Sequence, residues 1–204
     1  MGSYSVTIQL DNAWIDNFNK TGMKLCMAKA TKDSSGKEYF NVIAKTVDSV
    51  QPQMTITWVE EYKIEATAIT FSKGAQISGT AGAKDINFGQ TYQIQSWNKT
   101  QVFMDTQNVE KDSFGFANNI PCSIMLSMKD GNSFVPVYIS EEVVIPGMTT
   151  LTPIPKVVFW FQKTVASQTM IVNTSGTPWY VTPTAGSNST IKYDKNGVWS
   201  QVLQ

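Results

Sequence analysis

The sequence predicts an all-β protein, an antiparallel β-sandwich with Greek-key-like connections. Three observations predict it. Apolar residues recur with period two at several separate places, turn-forming Gly, Pro, Asn and Asp residues lie between them, and no stretch carries capped 3.6-residue periodicity.

At the amino terminus, Tyr4, Val6, Ile8 and Leu10 alternate with Ser5, Thr7 and Gln9, as a half-buried strand does. Asp11 to Lys20 has room for a short helical turn on which Trp14, Ile15 and Phe18 cluster. Met23, Leu25 and Met27 alternate with Lys24, Cys26 and Ala28, and Tyr39 to Val47 reads as a further strand. Met54, Ile56 and Trp58 share a face, and so do Tyr62, Ile64, Ala66 and Ala68. Ile69 and Phe71 then fall on the opposite parity. A bulge near Thr67 to Ile69 is expected to return them to the core, because one extra residue flips the face. Gly74 and Gly79 punctuate the segment beyond Phe71, and Gln90 to Trp97 reads as the next strand.

Cys122, Ile124, Leu126 and Met128 alternate up to the turn Lys129-Asp130-Gly131-Asn132, and Val135, Val137 and Ile139 return from it. Asp-Gly suits a type I′ hairpin turn, and Pro136 points to an edge or a bulge. Val157 to Phe161 is continuously apolar, the pattern of a strand buried on both faces, which places it centrally. A second hairpin closes the chain, from Ile191 to Asp194, around Asn196-Gly197, and back along Val198 to Leu203. A single domain over residues 1–204 is expected. The stretch 146–155, with Pro146, Gly147, Pro153 and Pro155, reads either as a linker at a sub-boundary or as a crossover within one sandwich.

Composition removes whole classes of chemistry. Lysine supplies all 16 basic residues, balanced by 16 acidic ones, and histidine and arginine are absent. Ser-His and Cys-His nucleophiles and His-based zinc sites are therefore ruled out, as is bidentate guanidinium recognition of phosphate or guanine. The balanced charge predicts no nucleic-acid partner. With no secretory signal visible, a cytoplasmic location is expected unless a leader was removed. Cys26 and Cys122 read as two buried free thiols, with a single disulfide as the alternative.

Several clusters carry little chemistry. Glu60 and Glu61 beside Trp58 and Tyr62 suggest a glycosidase cleft, but adjacent strand residues face opposite ways and cannot clasp one scissile bond. Glu61, Lys63 and Glu65 read as a solvated strand face, and Glu141-Glu142 as a strand end. Asp130-Gly131-Asn132 lacks the remaining ligands of a calcium loop, and Ser78 to Gly82 lacks the Gly-Lys-Ser/Thr ending of a phosphate loop. No catalytic residue, metal or cofactor is assigned.

Aromatic and amide chemistry is what remains. Among the six tryptophans, Trp58 and Trp160 have the pattern of core residues. Trp97, Trp179 and Trp199 sit near turns in polar surroundings, as in Trp97-Asn98 and Trp179-Tyr180. Such residues suit a glycan, a membrane interface or a protein contact. Trp97, Asn98, Trp179, Tyr180 and Trp199 are therefore the candidate ligand-binding residues.

Several segments carry a resemblance: Leu25 to Lys29, Ile56 to Ile64, Phe88 to Thr91, Thr149 to Pro153, Lys156 to Gln162 and Thr169 to Ile171. Together they resemble a group of mostly fungal, all-β hypothetical proteins of about this length. The resemblance implies a soluble, β-rich fungal or microbial protein and supplies no catalytic residue. The expected function is a non-enzymatic binding protein, lectin-like or defence-related, with a glycan or membrane surface as partner. A pore-forming cytolysin and a self-assembling, homo-oligomeric structural protein are the alternatives.

Overall fold

A computed structural model describes residues 2–78 and 82–202. Gly79, the centre of the Ser78 to Gly82 stretch and Leu203 lie outside the described residues. The elements run β1 (Ser3–Leu10), α1 (Asn12–Thr21), β2 (Met23–Asp33), β3 (Glu38–Tyr39), β4 (Ile43–Val47), β5 (Gln53–Thr67), β6 (Lys84–Ile86), β7 (Gln90–Ser96) and β8 (Lys99–Met104). They continue with β9 (Phe114–Asn118), β10 (Ser123–Asp130), β11 (Ser133–Ile139), β12 (Gly147–Lys163), β13 (Trp179–Val181), β14 (Asn188–Tyr193) and β15 (Trp199–Val202). The protein is all-β apart from α1.

Among the described residues the strands form two sheets. The first has the order β11-β10-β5-β1-β14-β15, with β6 also on β5. The second has the order β3-β2-β12-β9-β7-β8, with β13 also on β12 and β4 on β2. Both sheets are mixed, which corrects the purely antiparallel arrangement expected from the sequence. β1 runs parallel to β14, and β7 parallel to β9. Direction is forced to alternate only where a hairpin joins two strands. β8 intervenes between β7 and β9, so β9 returns along the far side of β7 in the same direction, and β1 and β14 lie at opposite ends of the chain.

Side chains of both sheets meet in one core cluster. Val6, Ile8, Ile56 and Ile64 come from the first sheet, and Leu25, Met27, Phe116 and Phe159 from the second. β12 is buried on both faces, as its apolar run predicts. Val157 and Phe159 join that cluster, while Val158 and Trp160 join a second one with Cys26, Ala28 and Ile43. The candidate linker at 146–155 is strand, because β12 begins at Gly147 and accommodates Pro153 and Pro155 where its register against β2 shifts. There Thr31 pairs with Pro153 and Lys29 with Val157, so β12 spends two extra residues, and proline costs no ladder hydrogen bond.

Other expectations shift in detail. Asp11 to Lys20 forms a full ten-residue helix, not one turn, with the Asp11 side chain accepting from the Ala13 N–H as its N-cap. Tyr39 to Val47 divides into β3 and β4. The bulge expected near Thr67 lies instead at Glu60-Glu61: Val59 pairs with Lys129 and Tyr62 with Met128. Two inserted residues preserve parity, which is why Trp58 and Tyr62 both stay buried. Ile69 and Phe71 pack beyond the end of β5 against Val42, Met125 and Met170. Pro136 lies on the edge strand β11 beside a register shift, as its ring requires. The β10–β11 loop is Gly131-Asn132, and only Gly131 has positive φ (61°), so the turn is not the type I′ expected. Cys26 and Cys122 are both buried free thiols.

Candidate functional site

Asp33 organises a surface turn flanked by two grooves. Its Oδ1 accepts from the Ser35 and Lys37 N–H groups (2.9 and 3.1 Å) and from the Ser35 hydroxyl (2.6 Å). Gly36 supplies the positive φ (82°) that closes this β2–β3 turn. Asp33 Oδ2 accepts from the Tyr39 hydroxyl at 3.0 Å, which fixes the ring. The ring also meets the buried Tyr138 edge-on, at 5.6 Å and 71°. Burial opposes ionisation of Asp33, but the donated hydrogen bonds outweigh it and hold its pKa below the usual value. Burial first, then Asp33, raises Tyr39.

Two adjoining grooves open on this turn. The first, of about 520 Å³, is lined by Asp33, Tyr138, Ser140 and Glu142 among others. The second, of about 320 Å³, is lined by Phe40, Asn41, Asn173, Thr174 and Tyr180 among others. Lys37, Tyr39 and Glu141 line both, so they form the ridge where the grooves join. Lys37 Nζ lies 3.4 Å from Glu141 and 4.3 Å above the Tyr39 ring.

The wall of the second groove is aromatic. Phe40 meets Tyr180 edge-on at 5.4 Å and 69°. Lys156 Nζ lies 5.5 Å from the Tyr180 ring and 2.8 Å from Glu38, and that ion pair holds Glu38 below its usual pKa. Asn41 is buried, donates to the Ile139 carbonyl at 2.7 Å, and leaves its side-chain oxygen without a donor among the described residues.

The five candidate residues do not converge. Trp97 and Asn98 form the exposed loop between β7 and β8, where Ser96 pairs with Lys99, and Trp97 is 53% exposed. Trp179 and Tyr180 are neighbours on β13, so their side chains face opposite ways. Tyr180 points outward and is 51% exposed, whereas Trp179 packs against the main core with its indole N–H unpartnered among the described residues. Trp199 is only 4% exposed, which removes it from the surface set. Its ring stacks on Phe161 at 5.4 Å and 9°, and its indole donates to the Thr177 carbonyl at 3.0 Å. Trp199 opens β15 directly after the Asn196-Gly197 turn and turns inward, while its neighbours Val198 and Ser200 are exposed.

Sequence reasoning missed Tyr39, Phe40, Lys37 and Glu141 as groove residues. The available signal was the Asp33-Ser-Ser-Gly36 turn with two aromatics just beyond it. Glu65 also departs from its solvated reading: it is buried, it accepts from the Gly82 N–H at 3.2 Å, and burial raises its pKa. Among the described residues no three His, Cys, Asp or Glu side chains group closely enough to hold a metal ion, and no helix is long and apolar enough to cross a membrane. No family model matches the chain, and no curated protein or solved structure matches it either.

Proposed function

We propose that the chain is a non-enzymatic, lectin-like binding protein that takes a glycan in the groove walled by Tyr39, Phe40 and Tyr180. Its two sheets would form a β-sandwich with Greek-key-like connections, a reading supported by their shared core and by a chain that passes repeatedly from one sheet to the other.

The observation that carries the glycan reading is Tyr180. Its ring is half in solvent, braced by Phe40, and set beside Asn173, Thr174 and Glu141. A pyranose offers an apolar face and a rim of hydroxyls. The ring suits the first, and amide, hydroxyl and carboxylate groups suit the second. The groove charges are paired, Lys37 with Glu141 and Lys156 with Glu38, which favours a neutral glycan over a polyanion. Asp33 is committed to its turn and both glutamates to lysines, which supports binding over acid–base catalysis.

On a glycan array the wild-type protein is expected to be retained. Tyr180→Ala should lose about tenfold in apparent affinity, the usual scale for one aromatic anchor. Trp97→Ala should match the wild type. Absence of retention at high protein concentration, or equal retention of Tyr180→Ala, overturns the reading.

A further inference from the structure

A separate pocket of about 310 Å³ opens where the two sheets meet near the amino terminus. Glu60 and Tyr62 of β5, Ile86 of β6, Phe88 and Phe114 line it. Phe88 and Phe114 stack at 5.0 Å and 8°, and Tyr62 meets Phe114 at 5.3 Å and 64°. Three aromatic rings thus make an apolar wall.

One polar group on that wall lacks a partner, and a second has a neutral one where a cation would serve better. Tyr62 is 4% exposed, and its hydroxyl has no hydrogen-bond partner among the described residues. A buried hydroxyl left unpaired is costly, and most native ones find an acceptor. Glu60 is engaged by the Tyr4 hydroxyl but enters no ion pair among the described residues, whereas Glu61 binds Lys129 at 2.6 Å and Glu65 accepts from the Gly82 N–H. The bulge at Glu60-Glu61 separates these two carboxylates, Glu60 beside Tyr4 and Glu61 beside Lys129. Lys29, the cation that Glu60 influences, is held by the Ile154 carbonyl at 2.7 Å instead.

The geometry points to a binding site for a small amine carrying a flat apolar body. The ammonium would pair with Glu60 and lie near aromatic faces, and the apolar body would pack on Phe88 and Phe114. An acceptor on the ligand, or a water it orders, would satisfy the Tyr62 hydroxyl. The volume sits at the small end of ligand pockets, and the aromatic wall suits an apolar body. The site shares no residue with the groove at Tyr180, so its failure and that of the glycan reading are distinguishable.

The test is calorimetric titration of the full chain with 2-phenylethylamine, with 2-phenylethanol as the uncharged comparison. Saturable binding of the amine is expected, weakened at least tenfold by Glu60→Gln and at least tenfold for the alcohol on the wild-type protein. Tyr62→Phe removes an unpartnered hydroxyl, so without ligand it should melt no lower than the wild type and serves as a folding control on the pocket. No saturation at millimolar amine, equal binding of amine and alcohol, or undiminished binding by a folded Glu60→Gln protein overturns the proposal.

Discussion

Trp199→Ala is expected to destabilise the protein by about 3–5 kcal/mol, the range for deleting a large buried aromatic. The ring stacks on Phe161 and lies 4.8 Å from Tyr193. Phe161 in turn packs on Phe18 of α1 at 4.7 Å, and Trp14 of the same helix donates its indole N–H to the Asp194 carbonyl at 2.8 Å. Removing Trp199 therefore opens a cavity beneath the helix and leaves the Thr177 carbonyl without its donor. Trp199→Phe keeps the stacking and loses that hydrogen bond, so it should cost less than Trp199→Ala. Urea unfolding monitored by circular dichroism measures both. A solvent-facing binding tryptophan would shift the midpoint by less than about 0.5 kcal/mol. An unchanged midpoint for Trp199→Ala would mean that this ring belongs to the surface after all.

Lys29 gives the second large effect, seen as a pH dependence. Its side chain is fully buried on the core-facing side of β2, and the carbonyl that accepts from it belongs to the irregular Pro153–Val157 stretch of β12. Burial lowers its pKa to about 8 from the usual 10.5, with Glu60 opposing the shift only in part. Between those two values the unfolded chain binds more protons than the folded one, so stability rises with pH across that window and is lost as pH falls back toward 8. From about pH 7.5 to about pH 9.5 the contribution of Lys29 to stability should rise by about 2 kcal/mol, read as the difference between the wild type and a variant lacking this amine. Groups raised by burial act in the opposite sense: Cys26, pushed from 9.0 to about 12, and Cys122 as the unfolded thiols ionise near 9.0, and the tyrosines, Tyr62 and Tyr138 foremost, as the unfolded phenols ionise near 10.0. Lys29→Met should remove the Lys29 contribution, so its stability falls relative to the wild type as pH rises through the window. Its stability at neutral pH is expected to be near that of the wild type, because relief of the buried charge offsets the unsatisfied Ile154 carbonyl. Parallel pH profiles for the two proteins would show that Lys29 is not the titrating group.

The strands were legible because a half-buried strand writes its burial directly into alternation. Tyr4 to Leu10 became β1, and the unbroken Val157 to Phe161 became the middle of β12. Pro136 was legible for the same kind of reason, since a missing N–H confines it to an edge or a bulge. Sheet order was not legible. Nothing in the alternation of β1 names β14 as its neighbour, and the two parallel pairs follow from chain routing beyond any local pattern.

The candidate site was legible only in part, and the reason is parity. Trp179 and Tyr180 look like one platform in the sequence, yet a strand sends one inward and one outward. Its place beside a turn suggested that Trp199 was exposed, yet the first residue of a strand can face the core while its neighbours face solvent. Tyr39 and Phe40 carried no binding signal of their own. They matter because the Asp33 turn and β13 bring them within reach of Tyr180, a convergence of segments far apart in the chain.

The central claim, a glycan seated against Tyr180, is tested most directly by amide chemical-shift mapping with whichever glycan the array retains. The account predicts shifts concentrated at Lys37, Tyr39, Phe40, Asn41, Glu141 and Tyr180, with Trp97 and Asn98 unmoved. Shifts confined to the Trp97-Asn98 loop, or none at saturating glycan, would contradict it.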